Sequence, residues 1–210
     1  MMKRFFKAIV KEAALKVYIL GKKQNDEIEN QQRLQLIKES GIIHPTAVIY
    51  KEAQIQNTQN NPGKIKIGKE SRIQGHLMLF KHGGEIIIGD YTFIGPETRI
   101  WSAKKITIGN RVLISHNVNV HDNVSHPLDS KERHEDFKHI FSKGFQSEID
   151  LREKEIIIED DVWIGFNVTI MKGVRIGKGA IIGSNTIVNK DVHSYEVVGG
   201  NPMNFIKKTT

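Results

Sequence analysis

The stretch IEDDVWIGFNVTIMKGVRIGKGAIIGSNTIVNKDV, residues 158–192, decides the fold of this chain. In it an aliphatic residue recurs at every sixth position, from Ile158 to Val188. A strand alternates every second residue and a helix repeats about every 3.6 residues, so a period of six fits neither as a long element. The period indicates a short strand followed by a corner, with the lead aliphatic residue pointing inward. Short repeats at this density are typical of a solenoid.

The same period continues on the N-terminal side of this stretch, and one long insertion interrupts it. The register shifts by two residues at Lys104 and Lys105, and it breaks between Ser125 and Ile156. Loops longer than about 15 residues are usually functional or disordered, and the aromatic residues of this one argue against disorder. We therefore expect a loop ejected from a corner of the solenoid. The lead residues before the break are Ile43, Ile49, Ile55, Ile67, Ile73, Leu79, Ile88, Ile94, Ile100, Ile108, Ile114 and Val120.

The composition excludes several classes of protein. Cysteine is absent, which rules out disulfides and cysteine-ligated metals and favours a cytoplasmic protein. No apolar run approaches the roughly 20 residues of a membrane span, and no signal peptide is expected. The net charge of +7 is concentrated in residues 1–23, so it gives no reason to expect nucleic-acid binding.

Two helices are predicted before the solenoid. A polar one is expected from about Asp26 to Glu39, with Leu34 and Ile37 as its apolar contacts and Gly41 after its end. The other, basic and amphipathic, is expected over residues 4–20. It either packs on its own domain or contacts an anionic membrane surface through residues 1–23. Its apolar positions are Phe5, Phe6, Ile9, Val10, Ala13, Val17 and Leu20.

The repeat resembles that of the hexapeptide-repeat acyltransferases over about residues 43–207. The resemblance implies an all-β solenoid, a left-handed parallel β-helix with an N-terminal α-helical segment and one long ejected loop. Its handedness departs from the usual right-handed crossover rule. We expect a helical segment over 1–41, the β-helix over 42–198 with the loop 126–156 inserted, and a tail over 199–210. With the family's three hexads per coil, the lead residues stack as Ile88, Ile108, Ile158 and Ile176 on one face, Ile94, Ile114, Ile164 and Ile182 on the second, and Ile100, Val120, Ile170 and Val188 on the third.

The break begins with a string that is similar to a family signature. Ser125-His126-Pro127-Leu128-Asp129 resembles the T/S-H-P-[IL]-D motif of the maltose, galactoside and capsular or lipopolysaccharide sugar O-acetyltransferases. The stretch 158–192 and the string VVGGNPMNFIK, residues 197–207, follow in the family's order. The resemblance implies an acetyl-CoA-dependent O-acetyltransferase that modifies a hydroxyl of a sugar or polysaccharide precursor, with no metal.

The resemblance also implies roles for individual residues. His126 matches the general base, since an imidazole can take the proton of a hydroxyl as it attacks a thioester. Glu97 stands where some relatives hold an asparagine, and it either orients His126 or is a solvated corner residue. Asp122, Asn123 and Trp101 are candidate acceptor-binding residues, although Asp122 and Asn123 fit a turn-forming role equally well.

The coenzyme is expected along the C-terminal coils. A backbone N–H near Gly165, just after Trp163, matches the donor to the tetrahedral oxyanion. Lys190 and Lys207, with Lys208 as a further candidate, match the cations that meet the coenzyme phosphates as point charges. Family members are cyclic trimers, so we expect a homotrimer with the active site between subunits. The candidate coenzyme-binding residues are Trp163, Gly165, Phe166, Ser184, Asn189, Lys190 and Lys207.

Two alternatives stay open. The spacing of His116 and His121 resembles that of the γ-class carbonic anhydrases, which share this fold and bind metal between subunits. His82 or His76 would then be the third ligand of a zinc site. The solenoid could instead be a structural module without catalytic activity.

Overall fold

The computed structural model describes the backbone of residues 2–209 and the side chains of residues 11, 12 and 14–209. The chain divides into two compact units, Met1–Glu39 and Ser40–Thr210.

The first unit is formed by one helix, α1, Met2–Ser40. The expected interruption between two helices is wrong, because no proline lies between residues 20 and 26 and a helical glycine such as Gly21 costs only about 1 kcal/mol. Val17 and Leu20 are exposed. Among the residues with described side chains, no helix is long and apolar enough to cross a membrane. The side chains at the other expected apolar positions of residues 4–20 lie outside the described ones: Phe5, Phe6, Ile9, Val10 and Ala13.

The second unit is a left-handed parallel β-helix, as expected, and its short strands form three sheets. The first sheet contains β1 Ile42–Ile43, β4 Ile65–Ile67, β7 Ile86–Ile88, β10 Ile106–Ile108, β13 Ile156–Ile158 and β16 Arg175–Ile176. The second contains β2 Val48–Ile49, β5 Arg72–Ile73, β8 Phe93–Ile94, β11 Leu113–Ile114, β14 Trp163–Ile164, β17 Ile181–Ile182, β19 Glu196–Gly199 and β20 Asn204–Lys208. The third contains β3 Gln54–Asn57, β6 His76–Leu79, β9 Arg99–Ser102, β12 Asn119–His121, β15 Thr169–Ile170 and β18 Ile187–Val188. A 3₁₀ turn, Pro62–Lys64, precedes β4.

The lead aliphatic residues fill the interior of the β-helix. The strand registers stack the lead residues on three faces as the six-residue period predicts. The twelve stacked residues from Ile88 to Val188 are all buried. One earlier position is corrected. Leu77, and not Leu79, lies in register with Ile55 and Ile100, because β6 and β9 are four residues long and Leu79 pairs with Ser102.

The residue four places after each lead position completes the inner corner. Ser71, Thr92 and Thr98 are buried, and their hydroxyls donate to the carbonyl oxygens of residues 89, 109 and 115 in the neighbouring coil at 2.6–2.8 Å. These bonds satisfy backbone groups that would otherwise be buried without a partner. Val112 and Val168 fill the same kind of corner with apolar volume.

A stack of asparagines marks one outer corner. Asn117, Asn167 and Asn185 have φ values of 54°, 56° and 60°, a left-handed conformation that asparagine tolerates better than most residues. Asn117 donates to Asn167 at 2.7 Å, and Asn167 donates to Asn185 at 3.1 Å. Glu97 occupies the same corner one coil earlier, with φ 59°.

The ejected loop is ordered around a helix, α2, Ser130–Lys143, which the sequence reading did not predict. Asp129 caps its N-terminus by accepting from the N–H groups of Lys131 and Glu132. These backbone hydrogen bonds hold the pKa of Asp129 below its ordinary value. Gly144, with φ 82°, ends the helix.

The loop then returns to the outer surface of the third sheet. Phe145, Ile149 and Leu151 form an apolar cluster with Met78 and Phe80. At the other end of the β-helix, β20 lies in the expected tail and forms an antiparallel hairpin with β19.

Candidate active site

The candidate base, His126, lies where the coil opens into the ejected loop. Its imidazole Nδ1 is 2.9 Å from Oδ2 of Asp136, a residue of α2. The His126 side chain is 47% exposed, whereas that of Asp136 is 5% exposed. Gln146 donates its Nε2 hydrogen to the other oxygen of Asp136 at 2.9 Å. A half-exposed imidazole is thus held by a buried carboxylate, the arrangement of a general base with an orienting partner.

Sequence reading missed Asp136 and Gln146. The usable signal was local: Asp129 followed by Glu132 is typical of a helix start, and Gly144 of a helix end. A helix between them lets a residue ten positions after His126 fold back towards it.

Glu97, the expected orienting residue, has a different setting. It is exposed at its corner, and among the described residues no hydrogen bond joins it to His126. It lines an open cleft together with Gln54, His76 and Arg99. The carboxylate that contacts the imidazole is therefore that of Asp136, which lies on α2, whereas Glu97 stays exposed at its corner.

Asp122 and Asn123 were expected to bind an acceptor, and the structure favours the turn-forming alternative. Asp122 is fully buried, and it accepts from the Ser102 hydroxyl at 2.7 Å and from the N–H groups of residues 103 and 104 at 2.8 and 2.9 Å. It thereby holds the backbone at the two-residue shift of register. Asn123 is 7% exposed and accepts from the N–H of Ser125 at 2.7 Å, which shapes the turn that leads to His126.

Trp101 lies in a stack of rings on the outer surface of the third sheet. The rings of Trp101 and His121 are parallel, with centroids 4.9 Å apart, and His76 meets Trp101 edge-on at 5.6 Å. Burial lowers the pKa of both histidines, and the positive charge of Arg99 adds to this. Three buried ring nitrogens of the stack have no hydrogen-bond partner within the described part of the chain: His76 Nε2, Trp101 Nε1 and His121 Nε2.

The histidines of the metal alternative have separate surroundings. The ring of His116 stacks on Phe166 at 5.2 Å, His121 lies against Trp101, and His82 pairs with Glu153 at 2.9 Å. Within residues whose side chains are described, no group of three histidine, aspartate or glutamate side chains is placed to hold a metal ion. Any such site would need ligands from a second subunit, as the resemblance to the γ-class enzymes implies.

The candidate oxyanion donor is the N–H of Phe166 and not that of Gly165. The N–H of Gly165 donates to the carbonyl of Ile182 at 2.8 Å, so it belongs to the stacking of the coils. The next N–H, that of Phe166, makes no hydrogen bond within the described residues. A Cβ on Gly165 would lie 2.6 Å from Ser184 Oγ, which explains why the chain has glycine there.

The other expected coenzyme-binding residues lie on the surface of the C-terminal coils. Trp163 is 54% exposed on β14, and Asn189 and Lys190 are exposed just after β18. Lys207 is exposed on β20, opposite Val197 of β19.

A polar cleft of about 820 Å³ lies between α2 and residues 146–152, open to solvent. Pro127, which follows His126, and Asp136 belong to its lining. His139, Gln146 and Ile149 line it further along. The cleft therefore adjoins the candidate base on the side of the ejected loop.

Comparisons with known proteins give three relevant matches besides a family model. Residues 155–190 match the model described as bacterial transferase hexapeptide (six repeats). A polysialic acid O-acetyltransferase of Escherichia coli O1:K1 / APEC is 39% identical over 145 residues, which are 69% of this chain and 43% of that protein. A putative lipopolysaccharide biosynthesis O-acetyl transferase, WbbJ, of Escherichia coli (strain K12) is 29% identical over 171 residues, 78% of this chain and 83% of that protein.

The third match is a solved structure. AntD, an N-acyltransferase from Bacillus cereus in complex with dTDP and 3-hydroxybutyryl-CoA, superposes with a TM-score of 0.64 at 22% identity. The match covers 86% of this chain and 88% of that one, and it supports the fold. The chain spans less than half of the polysialic acid O-acetyltransferase.

Proposed function

We propose an acyl-transfer reaction for this chain, which belongs to the hexapeptide-repeat acyltransferase family. The reaction we propose takes an acetyl group from acetyl-CoA to a hydroxyl of a sugar or glycan precursor. The observation that carries the proposal is the pairing of a half-exposed His126 with the buried carboxylate of Asp136.

His126 acts as the general base. A sugar hydroxyl is a weak nucleophile at neutral pH, and removal of its proton as it attacks contributes typically 10²–10⁴-fold to such a reaction. With Nδ1 donating to Asp136, Nε2 of His126 is free to take that proton. The hydroxyl oxygen bonds to the thioester carbon, the carbon–sulfur bond breaks, and the proton passes from Nε2 to the departing thiolate. The products are an acetyl ester and free coenzyme A.

The N–H of Phe166 is our candidate for the oxyanion donor. The tetrahedral intermediate carries its negative charge on the former carbonyl oxygen, and a backbone N–H that has no other partner can stabilise it. The family resemblance assigns this role to the neighbourhood of Gly165, and the Gly165 N–H itself is already bonded.

Subunit assembly is part of the proposal. In a homotrimer the base of one chain would face Trp163 and the C-terminal coils of another chain. Trp163 and Leu113 are neighbours on the outer surface of the second sheet, and both are about half exposed. Exposed apolar neighbours of this size are common where subunits meet.

Sugar hydroxyls are the acceptor class that best fits the site. The cleft beside His126 is lined mainly by polar and charged side chains, which suit the many hydroxyls of a sugar. The names of two relatives, a polysialic acid O-acetyltransferase and a lipopolysaccharide O-acetyl transferase, point to the same class.

The test is the release of free thiol from acetyl-CoA in the presence of a panel of sugars, nucleotide sugars and oligosaccharides, with the acetylated product identified by mass spectrometry. We expect His126→Ala to stay folded at the assay temperature and to lose about 10²–10⁴-fold in kcat, with a lower melting temperature because the buried Asp136 loses one of its two partners. The matched control is His134→Ala, since His134 is an exposed histidine on α2. Full activity of His126→Ala would contradict the assignment of the base.

The remaining expectations are tested on the same preparation. Metal analysis tests the alternative that the chain is a metal protein like the γ-class carbonic anhydrases. Stoichiometric zinc that is lost when His116 is changed, together with no thiol release by the unchanged protein, would favour that alternative. Co-sedimentation of the full chain with anionic vesicles tests membrane contact through residues 1–23. The cytoplasmic location stays a prediction.

A further inference from the structure

Asp136 is a buried acid with only two described partners. Its side chain is 5% exposed, and it lies 2.9 Å from His126 Nδ1 through Oδ2 and 2.9 Å from Gln146 Nε2 through Oδ1. A buried carboxylate is costly unless hydrogen bonds or a charge compensate it. The two contacts therefore explain how this acid is tolerated inside the loop.

The chemistry of these groups decides where each hydrogen lies. An ionised carboxylate only accepts hydrogen bonds, so Gln146 must present its NH₂ group to Oδ1 and His126 must present Nδ1–H to Oδ2. With its hydrogen on Nδ1, the neutral imidazole has its free lone pair on Nε2. That lone pair is the one a general base needs.

We propose that Gln146 and Asp136 act as a relay of positioning residues that selects the imidazole tautomer of His126. Gln146 holds the carboxylate in place by donating to Oδ1, and Asp136 keeps the hydrogen on Nδ1 by accepting it at Oδ2. Neither residue contacts the reacting atoms. The inference rests on the proposed acyl transfer, since it explains how the base of that reaction is kept in its active form.

The relay depends on the docking of the ejected loop. Gln146 follows Phe145, whose ring meets that of Phe80 at 5.8 Å, and Phe145 and Ile149 belong to the apolar cluster on the third sheet. Because this cluster anchors the return of the loop, it also holds Gln146 against Asp136. The long insertion thus fixes the tautomer of His126 and also forms the cleft beside it.

A single substitution, Asp136→Asn, tests the relay. In Asp136→Asn, with Gln146 held in the orientation that it has in the structure, its NH₂ donates to the amide oxygen of residue 136, so the amide NH₂ of that residue turns towards His126. Nδ1 then accepts a hydrogen bond, and the ring hydrogen moves to Nε2. We expect kcat to fall about 10²–10⁴-fold, the full contribution of a general base, with little change in KM.

A second substitution restores the original direction of the hydrogen bond between residue 136 and His126. In Asp136→Asn combined with Gln146→Glu, the new carboxylate accepts from the Asn NH₂ group, and the Asn oxygen faces His126 again. Nδ1–H is restored, and we expect kcat to recover at least about tenfold over the single variant. A purely structural role for Asp136 predicts no such recovery. The matched control is Glu155→Gln, which changes an exposed acid outside the cleft beside His126.

The tautomer is read directly by nitrogen NMR of histidine-labelled protein. The chain has nine histidines, and the His126 signal is identified by its absence in His126→Gln. We expect Nδ1–H in the unchanged protein, Nε2–H in Asp136→Asn and Nδ1–H again in the double variant. Melting temperatures and circular dichroism show whether each variant folds.

The outcomes separate the two proposals. Nδ1–H retained in Asp136→Asn, or a double variant that recovers neither tautomer nor kcat while folded, would overturn the relay. Absence of thiol release by the unchanged protein with every acceptor would instead count against the proposed function, because the NMR measurement needs no substrate.

Discussion

Pro96 and Phe166 occupy the same corner of the β-helix, two coils apart. The carbonyl of Pro96 accepts from the N–H of Asn117, and the carbonyl of His116, in the coil between them, accepts from the N–H of Asn167 in the same way. Pro96 follows Gly95 as Phe166 follows Gly165. Because proline has no N–H, this corner folds without a hydrogen bond from that position.

The first prediction uses this relationship to remove one backbone N–H. We expect Phe166→Pro to fold, since the equivalent corner already accepts proline, and to lose about 10²–10³-fold in kcat, the usual effect of losing one oxyanion donor. The measurement is kcat for thiol release together with the melting temperature.

Phe166→Ala is the control for the lost ring. It removes the stacking on His116 but keeps the N–H, so it should retain most of kcat. Equal losses in the proline and alanine variants would mean that the side chain matters and the N–H does not.

The second prediction concerns the coenzyme phosphates. Lys190 and Lys207 are exposed, and no ion pair involves either of them among the described residues. We expect Lys190→Ala and Lys207→Ala each to raise KM for acetyl-CoA about threefold to tenfold and to leave kcat nearly unchanged, because a phosphate contact far from the reacting carbon stabilises ground and transition states alike.

Salt dependence distinguishes a charge contact from a change of shape. The increase in KM should shrink as ionic strength rises, since mobile ions screen exposed charges. Lys51→Ala, at an exposed lysine near the start of the β-helix, should leave KM unchanged. An effect of Lys51→Ala as large as the other two would show that overall charge is responsible.

The third prediction concerns stability below neutral pH. Burial lowers the pKa of His121 and of His76, with Arg99 adding to the effect and Asp122 opposing it at His121. The folded chain therefore binds fewer protons than the unfolded chain below about pH 6.5, the ordinary histidine value. The free energy of unfolding should fall as the pH drops from about 6.5 through the folded-state pKa values.

His121→Phe isolates this effect. The phenyl ring can still stack on Trp101, but it does not titrate, so the decrease in the free energy of unfolding between pH 7.5 and 5.5 should become smaller. Denaturant titrations at several pH values measure it. His193→Gln, at an exposed histidine, should keep the dependence of the unchanged protein, and an undiminished dependence in His121→Phe would refute the role of His121.

The fold could be predicted because a local six-residue repeat determines it. Each six-residue unit buries one aliphatic residue and turns one corner, so the pattern of Ile158, Ile164 and Ile170 carries the architecture without knowledge of distant contacts. The pattern missed Leu77, which the four-residue strands place in register with Ile100, although Leu79 is buried in the core as well. The prediction was wrong at α1, where no residue breaks the helix.

Only part of the candidate site could be predicted from the sequence. The motif around His126 indicated a base, and the break in the repeat indicated a loop beside it. The family resemblance suggested Glu97 as its partner, and the position of Asp122 beside the break suggested an acceptor contact. Neither signal locates a side chain inside the inserted loop.

The tertiary structure decided the rest. Asp136 reaches His126 because α2 forms and because Phe145 and Ile149 anchor the loop on the third sheet. Asp122 turns inward because a shift of register leaves backbone N–H groups that need an acceptor. The repeat determined the solenoid from neighbours along the chain, whereas the partners of His126 depend on how a non-repeating loop packs, which no local period encodes.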